Sequence, residues 1–175
     1  MSYIFKKANF SQSDLSGVVL EGAFLKGVFL KNSSLYEANL SNANLSYSNL
    51  EGVDFRGADL GNINASNSIL KNSDLTYSNL RKGNLSFCNM EGATLDKTQA
   101  PDVDFNNSFL LNSRARNSYF RNANFTNCIL CGSNFSGASL RFSSFEKANL
   151  GGVDLSFSDL RRSKFYSAVF GPTLM

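Results

Sequence analysis

The residues of this chain best placed to do chemistry are few. They are three aspartates that share one phase, Asp14, Asp54 and Asp74, and three cysteines, Cys88, Cys128 and Cys131. The 175 residues contain no histidine and no tryptophan. The commonest general base, the Ser–His and Cys–His pairings and the usual transition-metal ligand are therefore absent. Asp54 and Asp74 could form a paired-carboxylate cation site. A hard cation wants more oxygen ligands than two, however, and Arg56 lies two residues from Asp54 to neutralise it. No glycine-rich phosphate loop joins a strand to a helix. The expectation is a chain that is not an enzyme, with no catalytic residue, metal, cofactor or small-molecule substrate.

The elements that must position these side chains follow from one period. Every fifth residue from Phe5 to Met175 is apolar, without a slip of register. Of these 35 centres, 20 are Leu, 10 Phe, 2 Met and 3 Ala, so the set reads as a continuous core. A period of five suits neither a helix nor a strand and implies a stacked repeat, each unit burying its face on its neighbours. The slot two before each centre holds small residues (Ala8, Ser13, Val18, Ala23) and also faces inward. The slot two after each centre is Gly or Asn in 19 cases and never Val, Ile or Thr. Positive φ favours that choice, so a tight turn is expected once per pentapeptide. Four such bends close a square coil of 20 residues that climbs one strand spacing, ~4.8 Å.

Ala43-Asn44-Leu45-Ser46-Tyr47, Ala58-Asp59-Leu60-Gly61-Asn62 and Ala148-Asn149-Leu150-Gly151-Gly152 carry the pattern A(D/N)LXX. The chain therefore resembles the pentapeptide-repeat family over residues 3 to 170. The resemblance implies an all-β fold: a right-handed quadrilateral parallel β-helix, or solenoid, of about 8–9 coils with a filled core and no long helices. Residues 1–175 are expected to form one domain. Ala65, Ala100 and Ala115 are centres too small to fill that core. Phe55, Met90 and Phe105, each ten residues earlier on the opposite wall, are expected to compensate in volume. Cys88 and Cys128 fall two coils apart, ~9.6 Å, too far for a disulfide, and Cys131 points outward. Reduced thiols and an N-terminus without a signal-peptide core lead to a cytoplasmic expectation with no membrane contact. Tyr3, Ile4, Lys6, Lys7 and Pro172 are read as modest caps on the exposed ends.

Function must lie in the outward slots that depart from the repeat. The slot before the centre on the second wall carries Phe29, Ile69, Phe109 and Ile129 where Asn or Asp would be usual. With Tyr47 and Phe87 from the preceding corner and Leu111 alongside, these form a candidate apolar interaction ridge. The fourth wall carries a candidate basic column of Arg81, Lys82, Arg121, Arg141, Arg161 and Arg162, with Arg114 and Arg116 nearby. The net charge is only +3, which disfavours nucleic acid as a partner. The expected function is a non-catalytic structural or interaction module, a rigid β-helix presenting flat walls to a protein. Self-association through the ridge or the helix ends is part of that expectation. The alternative is a DNA gyrase or topoisomerase-binding regulator, of the quinolone-resistance kind. The resemblance suggests it; the lack of acidic charge, loop insertion and helical tail speaks against it.

Overall fold

One backbone event recurs through the residues described, 4–171, in the computed structural model. From Lys7 to Ser167, every residue two after a centre has φ between 52° and 72°. In most units the amide that follows donates back to the carbonyl of the centre, as from Ala8 N–H to Phe5 O (3.0 Å) and Ala138 N–H to Phe135 O (3.0 Å). Positive φ confined to the third of four residues makes this a type II turn.

The rest of the backbone pairs at an interval of twenty. The residue before each centre forms an isolated parallel bridge with the residue one round on: Phe24 with Asn44, Phe29 with Asn49, Ser34 with Asp54, Asn39 with Asp59. The bridges fall into four columns. The first runs from Ile4 to Lys164, the second from Asn9 to Val169, the third from Asp14 to Asp154 and the fourth from Val19 to Asp159.

This pattern corrects the expected fold class. Among the described residues there is no helix and no strand of even two consecutive paired residues, hence no defined β-sheet. The right-handed quadrilateral β-helix with strands on four walls is not what the chain forms. The physical reason is the turn. Two residues of every five are spent in it, one at positive φ, and no segment stays extended long enough for a strand to develop.

Single-residue bridges nevertheless satisfy the backbone. In the unit Leu40-Ser41-Asn42-Ala43-Asn44, Leu40 N–H donates to Asp59 O (2.8 Å), Asn42 N–H to Gly61 O (2.8 Å) and Asn44 N–H to Ala23 O (2.9 Å). Ala43 N–H closes the turn on Leu40 O (3.0 Å). Ser41 N–H donates to the side-chain Oδ1 of Asn39 (3.0 Å). All five amides have an acceptor, as burial of a backbone demands. The last of these bonds explains why Asn or Asp precedes so many centres: its side chain makes an Asx turn onto the amide two residues on.

The centres from Leu25 to Leu150 are buried, together with most of the small slot between them. Ala65, Ala100 and Ala115 are fully buried, as are Phe55, Met90 and Phe105. Buried hydroxyls of the small slot donate to centre carbonyls, as from Ser68 Oγ to Leu45 O (2.8 Å) and Thr98 Oγ1 to Leu75 O (2.9 Å). Toward the C-terminus the core becomes aromatic. Phe105, Phe125, Phe145 and Phe165 stack in one column with centroids 5.2, 4.9 and 5.0 Å apart. At the other end, Phe5, Phe10, Leu15 and Leu20 line an apolar cavity of about 120 Å³. Ile4 is exposed there, and Tyr3 and Pro172, read as caps, lie outside the described residues.

After the second column, Asn and Gly alternate at the positive-φ position for a physical reason. The Asn72 side chain lies over Gly92 so closely that a Cβ there would strike its Oδ1. Asn32 covers Gly52, and Asn112 covers Gly132, in the same way. Gly152 has nothing nearer to such a Cβ than the Gly132 amide nitrogen at 3.9 Å. Gly152→Ala is thus expected to destabilise by about 1–2 kcal/mol through φ alone. Gly92→Ala is expected to destabilise more, and adding Asn72→Gly, which removes the obstructing side chain without straining φ 56°, should recover the difference, as urea midpoints of the three variants would reveal.

Candidate functional site

The second column assembles the apolar ridge, with more order than the sequence suggested. Its bridging residues run Phe29, Asn49, Ile69, Asn89, Phe109, Ile129. The Asn side chains fold back as Asx turns, Asn49 Oδ1 accepting from Glu51 N–H (3.1 Å) and Asn89 Oδ1 from Glu91 N–H (3.2 Å). On those two rungs the preceding corner supplies the large side chain instead: Tyr47 beside Asn49 and Phe87 beside Asn89. Each rung from Phe29 to Ile129 therefore carries one large apolar group in this pair of slots. The groups alternate between column and corner until Phe109, and Ile129 then repeats the column position. Tyr47 and Phe87 are 60% and 56% exposed, and Phe29, Ile69 and Phe109 nearly half exposed. Ile129 and Leu111 are half-buried and contribute less to the strip than the sequence implied.

The corner side chains sit where the backbone resists them. Tyr47 has φ 62° and Phe87 φ 58°. Bulky residues rarely adopt that region, and each pays on the order of 1–2 kcal/mol there. Lys26 covers part of Tyr47, its Nζ 4.9 Å from the ring centroid.

Beyond the column lies a row of alternating charge that sequence reasoning missed: Lys31, Glu51, Lys71 and Glu91, each one round from the next. Lys31 Nζ meets Glu51 Oε2 at 3.0 Å, and Lys71 Nζ meets Glu91 Oε2 at 2.8 Å. Spacing of twenty with alternating sign was the signal that could have revealed it.

The basic column is gathered as expected but largely engaged within the chain. Arg161 grips Asp159 through Nε (2.9 Å) and a terminal nitrogen (2.7 Å), holding that carboxyl down to about 2. Arg141 Nε lies 3.9 Å from the same carboxylate. Arg121, Arg141 and Arg162 surround the Phe142 ring at 5.4, 5.7 and 5.4 Å. Arg81 and Arg121 flank an open groove of about 540 Å³ over Pro101, which Asp102 also lines. Lys82 lies exposed at the adjoining corner. Arg114 and Arg116 do not join this column. Both close on Asp96, which is 8% exposed: Arg114 Nε at 2.8 Å, and Arg116 through its backbone N–H (2.8 Å) and its guanidinium (2.7 Å). Burial pushes the Asp96 carboxyl up, but the Arg116 hydrogen bonds outweigh it and the net direction is down.

Asp54 and Asp74 do stack as bridge partners, yet each is turned onto its own turn. Arg56 binds Asp54 at 2.9 and 2.6 Å, and Thr76 donates twice to Asp74 Oδ1. Asp14 accepts from the amide and hydroxyl of Ser16. Cys88 and Cys128 are buried and donate to Ala65 O (3.0 Å) and Phe105 O (2.9 Å). Burial pushes both thiols up to about 12. Cys131 is partly exposed.

The functional expectation is corrected with the fold. A rigid β-helix presenting flat walls, and the gyrase-binding alternative built on the same architecture, both require a defined sheet, and the described residues hold none.

The family model for Pentapeptide repeats matches residues 4–32, 33–72, 58–96, 68–107, 102–137, 118–156 and 133–171. No curated protein matches the chain. Similar solved structures include HetL, a pentapeptide repeat protein involved in heterocyst differentiation regulation in the cyanobacterium Nostoc sp. strain PCC 7120. It is 22% identical over 96% of this chain and 89% of that one, with a TM-score of 0.49. A pentapeptide repeat protein of the Arabidopsis thaliana thylakoid lumen is 26% identical over 54% of this chain and 66% of that one, with a TM-score of 0.36. Trypsin-treated QnrB1, a plasmid-mediated fluoroquinolone resistance protein, is 15% identical over 93% of this chain and 90% of that one, with a TM-score of 0.36.

Two outcomes follow from the buried polar groups. Asp96→Asn is expected to lose about 1–2 kcal/mol at pH 7, the guanidiniums being half exposed and screened. A depressed carboxyl supports the fold above its unfolded value of 3.8 and loses that support as pH falls through the lower folded value. The variant should therefore show a shallower acid limb when urea midpoints are compared between pH 7 and pH 2. Separately, iodoacetamide at pH 8 should modify Cys131 in the native protein, but Cys88 and Cys128 only after unfolding, as counted by mass spectrometry. Their raised values favour the folded state below 9.0, and that contribution disappears as pH climbs to about 12.

Proposed function

The chain belongs to the pentapeptide-repeat family, and from that premise we propose that it acts by binding a protein through the face of the second column, without catalysing a reaction. One observation carries this reading. Each rung from Phe29 to Ile129 presents one large apolar side chain, and on two rungs that side chain is an aromatic held at positive φ. Asn or Gly would relieve the backbone at Tyr47 and Phe87, as it does at most other corners. Strain of this kind is retained where a side chain has a use. A continuous apolar strip bordered by polar residues is the usual mark of a protein contact.

The groups of the basic column, by contrast, are largely occupied by Asp159 and Phe142, which supports a protein rather than a nucleic acid as the partner. Three cysteines that form no disulfide fit a reducing compartment, which supports a cytoplasmic location.

The double substitution Tyr47→Asn with Phe87→Asn separates function from folding. It should raise stability, by up to about 1 kcal/mol per site, because Asn tolerates positive φ. It should also abolish capture of the protein partner from native lysate by the immobilised chain. A variant that folds more stably yet captures the same partner as the wild type would overturn the reading.

A further inference from the structure

We infer that the occupant of the second-column face is a second copy of this chain, docked antiparallel about a two-fold axis that passes between the Asn49 and Ile69 rungs. This inference rests on the protein-binding reading above and names its partner.

The argument is one of register. A two-fold axis lying in the interface and perpendicular to the stack keeps each row of side chains opposite the same row of the other copy, with the order of rungs reversed. Placed between the Asn49 and Ile69 rungs, it sets Lys31 against the Glu91 of the second copy and Glu51 against its Lys71. The two ion pairs within one chain, Lys31–Glu51 and Lys71–Glu91, are thereby joined across the interface into a closed network.

The apolar groups interlock in the same register. Phe29 faces Asn89, Ile69 faces Asn49, and Phe87 faces Gly27, where the corner has no side chain to obstruct it. Tyr47 faces Asn67, and one rung further Phe109 faces Asn9. Each apolar group of the strip from Phe29 to Phe109 therefore meets a short residue rather than another large one.

Other placements do worse, since moving the axis a whole rise keeps one kind of opposite-charge contact in place of two, Lys31 with Glu51 or Lys71 with Glu91. Moving the axis half a rise one way opposes Lys31 with Lys71 and sets Glu51 on itself. Moving it half a rise the other way opposes Glu51 with Glu91 and sets Lys71 on itself. A parallel two-fold places Phe29 against Phe29 and leaves Glu51 and Glu91 without an opposing cation. Like charges held opposite one another are a strong bar to docking. The favoured contact is one face wide and about 24 Å long, five rises of ~4.8 Å. It fits a dimer that forms at micromolar concentration rather than a permanent one.

The test is sedimentation equilibrium of the full chain at low and high salt, with four variants. The wild type is expected to be a monomer–dimer equilibrium that weakens with salt. Lys31→Glu alone and Glu91→Lys alone each create two like-charge contacts per dimer and should weaken association about tenfold or more. Lys31→Glu combined with Glu91→Lys restores opposite charge across the two-fold and should recover association to near the wild-type value. No register other than this one makes that recovery. Tyr47→Asn with Phe87→Asn should leave a monomer. A wild-type chain that stays monomeric to several hundred micromolar, or a double charge swap no better than the single ones, overturns the two-fold pairing. If the pairing fails but lysate capture still depends on Tyr47 and Phe87, the protein-binding reading stands with another protein as the occupant. If capture is also insensitive to them, both readings fail.

Discussion

The turn at every fifth residue is the constraint on which the rest of the structure depends. Holding one residue of each unit at φ near 60° bends the chain before a strand can form and sends the next small residue inward. It also aims the amides on either side of the bend at carbonyls one round away. Because the interval is constant, the backbone can satisfy every amide of a unit with single-residue bridges, one turn bond and one Asx bond. A chain whose pairing has no continuous strand would ordinarily be marginal. Here the buried centres, the stacked Phe column and the hydroxyls tied to centre carbonyls provide the cooperative term.

The same constraint sorts the outward residues into those that serve the turn and those that do not. Asn and Asp before a centre cap the amide two residues on, and Gly and Asn after it relieve positive φ. Residues that do neither stand out. Phe29, Ile69 and Phe109 give up an Asx bond, and Tyr47 and Phe87 occupy a backbone region that disfavours them. Similar departures occur elsewhere, at Tyr77, Phe142 and Phe157 with positive φ and at Val19 and Phe24 before a centre, but on the second-column face they fall on five successive rungs. The Asn residues between them are the recesses that make the strip a relief rather than a smooth band.

The charged groups divide in a parallel way. Asp96 holds two arginines in a half-sheltered clamp, Asp159 holds Arg161, and Phe142 gathers three guanidiniums. These arrangements are complete within the chain. The Lys31, Glu51, Lys71, Glu91 row is different, since its two ion pairs leave opposite signs adjacent and unjoined at the centre. Surface pairs of this kind contribute little to stability. Their alternation matters more as a register mark for whatever lies against the face.

By itself the sequence determined which residues are inside and where the chain turns. The apolar centres, the small slot and the Gly/Asn position each obey a single local rule, so a period of five displays them directly. It also determined that Cys88 and Cys128 share a phase two rounds apart and that the ridge residues lie on one side. Only the tertiary structure decided that the pairing stops at single bridges, because strand length depends on how much of each unit the turn consumes. Tertiary structure alone also decided that Arg114 and Arg116 belong to Asp96 rather than to the basic column, since a long guanidinium can reach either of two corners. The alternation of the strip and the pairing of the charged row arise between residues twenty apart. They exist as contacts once the rounds are stacked, and no local rule of the repeat encodes them.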